Sequence, residues 1–219
     1  MLPVVFDLDG TLIDSLPNVT NAINGLLGDS KLPALSPEVV VNFVGHGERV
    51  LLDRLIAATD LNAADYEVLM DRFIEHYKRA AADTRVFPGV TAALEALRCD
   101  GLALALCTNK PRAPLIPTLE AAGLMDAFDV VVAGDDLERR KPDPTPLWFI
   151  MSKLGAESCI YVGDSEVDAE TARRAEVPFL FFTEGICAVP IADIPHDATF
   201  GDFSELPDLI RRFARAPAR

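Results

Sequence analysis

Asp7-Leu8-Asp9-Gly10-Thr11 sets two carboxylates two residues apart, at the end of an apolar run from Val4 to Leu8 that Asp7 itself interrupts. A charge between Phe6 and Leu8 needs a partner if that run is buried. Two carboxylates at this spacing converge on one metal ion once the chain leaves extended geometry, and Gly10 permits the turn. A calcium loop is excluded. It wants Gly at its sixth position and Glu at its twelfth, and counting from Asp7 those places hold Leu12 and Asn18. Gly163-Asp164-Ser165, with Asp168 four residues past Asp164, is a second source of carboxylates; read alone, it suits a helix N-cap equally well. Thr108-Asn109 offers a hydroxyl and an amide to phosphate oxygens, where the next helix can add its N-terminal amides. Lys141 precedes Pro142-Asp143-Pro144. The prolines keep that segment extended and then start a helix, so the lysine is either fixed in space or a solvated surface cation.

These residues need elements to hold them. Short apolar runs at Val4 to Leu8, Leu102 to Cys107, Asp129 to Ala133, Cys159 to Val162 and Phe179 to Phe182 read as buried strands. Helical stretches alternate with them: Thr91 to Arg98, Ala113 to Ala122, Pro144 to Leu154, Ala169 to Ala175 and Leu206 to Ala214. This alternation predicts an α/β fold, a doubly wound parallel sheet with helices on both faces. The stretch from Asp14 to about Arg85 breaks the pattern. Leu51, Leu52, Leu55 and Ile56, and then Tyr66, Leu69, Phe73 and Tyr77, recur at helical spacing with no strong strand between them. It reads as an inserted helical cap, residues 14–86, in a catalytic core of residues 1–13 and 87–219. Ligands of open parallel sheets bind at the carboxyl ends of the strands. Asp7 and Asp9, Thr108 and Asn109, Asp135 and Asp136, and Gly163 and Asp164 all end strands.

The order of these sets along the chain, an Asp-rich strand end, then Thr, Lys and an Asp-rich loop, resembles the haloacid dehalogenase superfamily of phosphotransferases over essentially the whole chain. The resemblance implies roles. Asp7 is the nucleophile and forms an aspartyl-phosphate. Asp9 is general acid to the leaving oxygen and then general base to water. Mg²⁺ is held by Asp7, Asp164 and the backbone carbonyl of Asp9, with Asp168 orienting the ligands. Thr108 and the amide of Asn109 grip the phosphoryl oxygens, and Lys141 neutralises charge on Asp7 and the phosphoryl group. The dehalogenases of the superfamily lack an acid/base Asp at the place of Asp9, so its presence favours phosphate esters.

In the expected cap, Val44-Gly45-His46-Gly47-Glu48-Arg49 looks like the matching segment of phosphoglycolate phosphatases. Two glycines let a backbone loop approach the site, and His46 or Arg49 is expected to meet a substrate carboxylate. The ligand is then a small phosphorylated metabolite. A phosphosugar mutase resembling β-phosphoglucomutase shares the same motifs. A phospho-accepting receiver domain shares the clustered aspartates, Thr and Lys, but is shorter and has no insert after its first strand.

Composition agrees. A net charge of -14 and a pI near 4.5 leave no basic stripe for nucleic acid, so positive charge must come from the site itself. The four cysteines form no C-x-x-C pair and read as core residues of a reducing cytoplasm. The N-terminal apolar stretch is too short for a signal peptide, and no run approaches a membrane span.

Overall fold

A computed structural model describes residues 2–187 and 189–215. The first apolar run forms β1 (Val4–Phe6), and the chain then turns sharply into the two-residue β2 (Ile13–Asp14). Helices follow: α1 (Leu16–Asp29), the short α2 (Pro37–Val40), α3 (Glu48–Ala58) and α4 (Tyr66–Ala80). The chain returns through β3 (Arg85–Val86) and then alternates: α5 (Val90–Cys99), β4 (Leu104–Cys107), α6 (Arg112–Ala122), β5 (Val130–Val132), α7 (Thr145–Leu154), β6 (Ile160–Gly163), α8 (Glu166–Ala175) and β7 (Phe179–Phe182). The last elements are β8 (Ala198–Phe200) and α9 (Leu206–Arg215).

Six strands make one parallel sheet in the order β5-β4-β1-β6-β7-β8. From β1 the chain runs outward through β4 to β5. It then crosses to the other side of β1 and runs outward through β6, β7 and β8. The reversal beside β1 is the place where an open sheet leaves a crevice at its strand ends. Asp7 and Asp164 leave β1 and β6 there, on adjacent strands paired with Phe6 opposite Val162.

Pleating divides each strand between two cores. Val4, Phe6, Leu104, Leu106, Ile160 and Val162 face the layer of α5, α6 and α9, packing on Leu94, Leu97, Leu115, Leu119 and Ile210. Val5, Ala105, Cys107, Tyr161 and Phe179 face α7 and α8, packing on Leu147, Ile150, Ala169 and Ala172. Burial on both faces is why these strands read as unbroken apolar runs. Cys107 and Cys159 lie buried here as free thiols.

The stretch between β2 and β3 is helical and has its own apolar cluster: Val19, Ile23, Leu26 and Leu27 of α1 against Leu52 and Leu55 of α3 and Leu69, Phe73 and Tyr77 of α4. Its two connections to the sheet are tied by antiparallel pairing of β2 with β3, Ile13 opposite Val86 and Asp14 opposite Arg85.

Three features differ from the sequence expectation. Strand β1 stops at Phe6, because the carbonyl of Leu8 is taken by the amides of Thr11, Leu12 and Ile13 at 3.2, 2.9 and 3.1 Å. The β2–β3 pair is two residues long, too short for any periodicity. The edge strand β8 was not anticipated, since Ala-Thr-Phe carries no apolar run. Among the described residues, no helix is long and apolar enough to cross a membrane.

Candidate active site

The turn after β1 sets the floor of the site. Asp7 still belongs to the ladder through its amide, which donates to Val162 O at 2.9 Å. Gly10 then adopts φ +85°, and a Cβ on it would lie 2.2 Å from Asp164 Oδ2. Glycine is therefore required both by the backbone and by the carboxylate it must clear. Asp164 is locked on both oxygens. Thr11 Oγ1 donates to Oδ1 at 2.6 Å, and the Ile186 amide donates to Oδ2 at 2.7 Å. Gly185 closes over it, where a Cβ would come within 2.3 Å of Asp164 Cβ.

Lys141 joins these pieces. Its Nζ lies 2.8 Å from Asp7 Oδ1 and 2.7 Å from Asp168 Oδ1, and it donates to Tyr161 Oη at 3.0 Å. Asp168 is saturated. Oδ1 accepts from Lys141 and from Tyr161 Oη at 2.7 Å, and Oδ2 from Ser165 Oγ at 2.5 Å and Ser165 N at 3.2 Å. Ser165 in turn caps α8 by accepting from the Asp168 amide. The N-cap and carboxylate-source readings of this segment are thus both realised, by Ser165 with Asp168 and by Asp164.

Charge in this pocket does not balance. Asp7, Asp164 and Asp168 are buried together, and Lys141, the cation among them, is paired with Asp7 and Asp168. Three negative charges against one positive leave a deficit of two. Burial pushes the Asp7 carboxyl up to about 7 despite Lys141, with Asp168 adding to the rise. Burial and the charges of Asp168 and Asp7 push Asp164 well above the carboxylate range. Lys141 is held above its ordinary value because Asp168 and Asp7 outweigh the cost of its burial. Oxygens of Asp7, Asp164 and Asp168 lie within 4.8 Å of one another, an all-oxygen donor set suited to a hard divalent cation. Such an ion would supply the two missing charges. Asp168 accepts two hydrogen bonds on each oxygen, whereas Asp164 accepts one on each and Asp7 meets Lys141 through Oδ1, so Asp7 and Asp164 are the side chains with lone pairs left to hold it.

The strand end of β4 forms one wall. Thr108 continues the ladder, its amide donating to Val132 O at 3.0 Å, and its Oγ1 accepts from Lys110 N at 3.1 Å. Asn109 Nδ2 donates to Lys141 O at 3.0 Å and to Gly45 O at 3.1 Å. Two residues here were not singled out from the sequence. Lys110 is buried with its Nζ 2.8 Å from Asp9 Oδ1, in contact with Tyr77 Oη and 4.0 Å from the Tyr77 ring centroid. The position of Lys110, directly after Thr108-Asn109 at a strand end, was the available signal. Tyr77 gave none, since it reads as one more apolar position on α4.

Asp7, Asp9, Thr108, Asn109, Lys141 and Asp164 all line one cavity of about 60 Å³, with Asp168 behind Lys141. The helical stretch roofs it with Val19, Val44, Leu51, Phe73 and Tyr77. Of the four loop residues expected to choose the substrate, Gly45 and Gly47 line the cavity. His46 and Arg49 do not. His46 Nδ1 is buried without a hydrogen-bond partner, and Arg49 is more than half exposed, 3.9 Å from Glu67. The reason is geometric. Arg49 stands on the first turn of α3, which turns its side chain toward Glu67 of α4. The polar contacts of this loop with the other side of the cavity are made instead by the Gly45 carbonyl, which accepts from Asn109 Nδ2, and by Glu48, 3.2 Å from Arg140.

A six-stranded parallel sheet surrounded by helices is shared with a known class. The chain belongs to the haloacid dehalogenase-like hydrolases, whose family model matches residues 4–182, and it is a phosphatase. It is 44% identical to a phosphoglycolate phosphatase of Cereibacter sphaeroides (strain ATCC 17025 / ATH 2.4.3), over 95% of this chain and 97% of that one. It is 41% identical to a phosphoglycolate phosphatase of Rhodospirillum rubrum, covering 94% and 89% of the two chains. A crystal structure described as a predicted phosphoglycolate phosphatase from Haemophilus somnus 129PT superposes with a TM-score of 0.90 at 32% identity, over 96% and 98% of the two chains.

Proposed function

We propose that this phosphatase hydrolyses 2-phosphoglycolate with Mg²⁺, through an aspartyl-phosphate on Asp7. The observation that carries the chemistry is the charge deficit of two around Asp7, which faces the cavity with Lys141 2.8 Å away. The substrate rests on the relatives named above.

Residues 1–13 and 87–219 act as the catalytic core and residues 14–86 as a cap whose opening admits substrate. The β2–β3 pair supports hinges at 14–17 and 84–88. Asp7, Asp164 and the Asp9 carbonyl hold the Mg²⁺. When bound, the ion neutralises oxygen charge and orients the phosphoryl group. In the first step a carboxylate oxygen of Asp7 forms a bond to phosphorus as the bond to the bridging oxygen breaks, and Asp9 delivers its proton to that oxygen. Thr108 Oγ1 and the Asn109 amide donate to the equatorial oxygens, and the Lys141 ammonium offsets charge that builds between nucleophile and phosphoryl group. In the second step Asp9 takes a proton from water as its oxygen attacks phosphorus. Inorganic phosphate leaves and the Asp7 carboxylate is restored. The buried free thiols suit a reducing cytoplasm.

The test is phosphate release with Mg²⁺ from 2-phosphoglycolate, sugar phosphates, nucleotides and pyrophosphate. The highest kcat/KM on 2-phosphoglycolate supports the reading. Another preferred ester keeps the mechanism and removes the substrate. No release from any ester refutes hydrolysis, and interconversion of sugar-phosphate isomers then identifies a mutase.

A further inference from the structure

We infer that Lys110, rather than a residue of the cap loop, is the cation that recognises the substrate carboxylate, with Tyr77 of α4 fixing it in place. The inference rests on the 2-phosphoglycolate reading and assigns that specificity to the sheet side of the cavity.

Two cations line the cavity, Lys110 and Lys141. Lys141 is consumed by Asp7, Asp168 and the Tyr161 hydroxyl. Lys110 has one carboxylate partner, Asp9. An ammonium carries three N–H donors. Two are directed to Asp9 and the Tyr77 hydroxyl, and the third is left for an incoming acceptor. The Lys110 side chain is only 1% exposed, so its charge acts on a ligand with little screening by water. The Tyr77 ring packs against it from the cap side and holds the long stem in one rotamer.

Substrate chemistry brings the carboxylate to this point. Asp9 serves the bridging oxygen, and in 2-phosphoglycolate one methylene separates that oxygen from the carboxyl carbon. A cation already touching Asp9 therefore lies within reach of the carboxylate. Arg49 is paired with Glu67 and does not line the cavity, and Arg140 is paired with Glu48. An ester without the carboxylate leaves Lys110 with no ligand charge to meet. A buried polar group left unmatched is the strongest basis for rejecting an analogue.

The experiment compares kcat/KM on 2-phosphoglycolate and on 2-hydroxyethyl phosphate in the wild type and in Lys110→Met and Lys110→Gln. The second ester keeps the phosphoryl group, bridging oxygen and methylene and replaces the carboxylate with a hydroxymethyl group. The ratio of the two values is the readout, because damage to Asp9 or to folding lowers both and cancels. The wild type is expected to favour 2-phosphoglycolate by at least ~30-fold, and both variants to lose most of that preference, chiefly through KM. Lys110→Arg is expected to recover part of it. Lys110→Gln keeps a hydrogen bond toward Asp9 without the charge, so it decides the matter if the Met variant does not fold. A wild-type preference that survives in the variants overturns the assignment to Lys110 and leaves the substrate reading intact. A wild type with no preference overturns both, and hydrolysis of neither ester removes the proposed function itself.

Discussion

The floor and the roof of the cavity are held in different ways. On the floor, Asp164 and Asp168 are buried and each of their oxygens accepts a hydrogen bond, mostly from the backbone or side chains of adjacent strand ends. The roof rests on that floor through few polar contacts: Asn109 to Gly45 O, Arg140 to Glu48, and the Tyr77 hydroxyl to Lys110 and Asp9. Its own apolar cluster is separate from the two on the faces of the sheet. The proposed catalytic core is thus built into the sheet. The proposed cap carries its own apolar cluster, which the opening proposed above requires.

The largest effect that sharpens this contrast is at the nucleophile. Asp7→Asn is expected to lower phosphate release on the order of 10³-fold or more with an unchanged circular dichroism spectrum. Turnover near that of the wild type would remove Asp7 from the chemistry. Next, the two ends of the cavity differ in stability. Asp168→Ala leaves Lys141 with Asp7 as its carboxylate partner, removes the acceptor of the buried Tyr161 and Ser165 hydroxyls, and is expected to cost about 2–4 kcal/mol by urea unfolding. Glu48→Ala breaks a half-buried pair of the roof and costs about 1 kcal/mol or less. Equal losses would erase the distinction.

A pH dependence belongs to the floor. The carboxyls of Asp7 and Asp164 titrate above their unfolded value of 3.8 in the metal-free protein. Between that value and about 7, the folded state binds more protons than the unfolded chain, so their contribution is present at low pH and is lost as pH rises. The proposed Mg²⁺ would offset this loss. The rise in Tm on adding Mg²⁺ is expected to be larger at about pH 7.5 than at about pH 5, and an equal rise at both would argue against these carboxylates as the metal site. The smallest effect is at the outer surface of the roof. Arg49→Ala, which removes an exposed pair with Glu67, is expected to change KM for 2-phosphoglycolate by no more than about twofold. A tenfold rise would restore Arg49 to substrate recognition.

The amino-acid sequence by itself determined the architecture and the floor. Runs such as Val4 to Phe6 and Ile160 to Val162 are buried on both faces, so their apolar character alone marks them as strands. Asp7 stands out because it interrupts such a run, whereas Asp164, which read alone suits a helix N-cap equally well, gains its meaning from its place after Asp7, Thr108 and Lys141 in the chain. Tertiary structure decided the rest. Gly10 and Gly185 look like ordinary turn glycines until Asp164 is seen filling the space their side chains would occupy. The cap loop showed its glycines, but the direction of Arg49 depends on where α4 places Glu67. Lys110 and Tyr77 are 33 residues apart, one after β4 and the other on α4. Their meeting at Asp9 is set by how the helical insert sits on the sheet. Local pattern reports which residues are buried and on which period, because burial leaves its mark on neighbouring residues. It carries no record of which distant side chain closes a charge, because that contact is made across the fold and leaves no spacing behind.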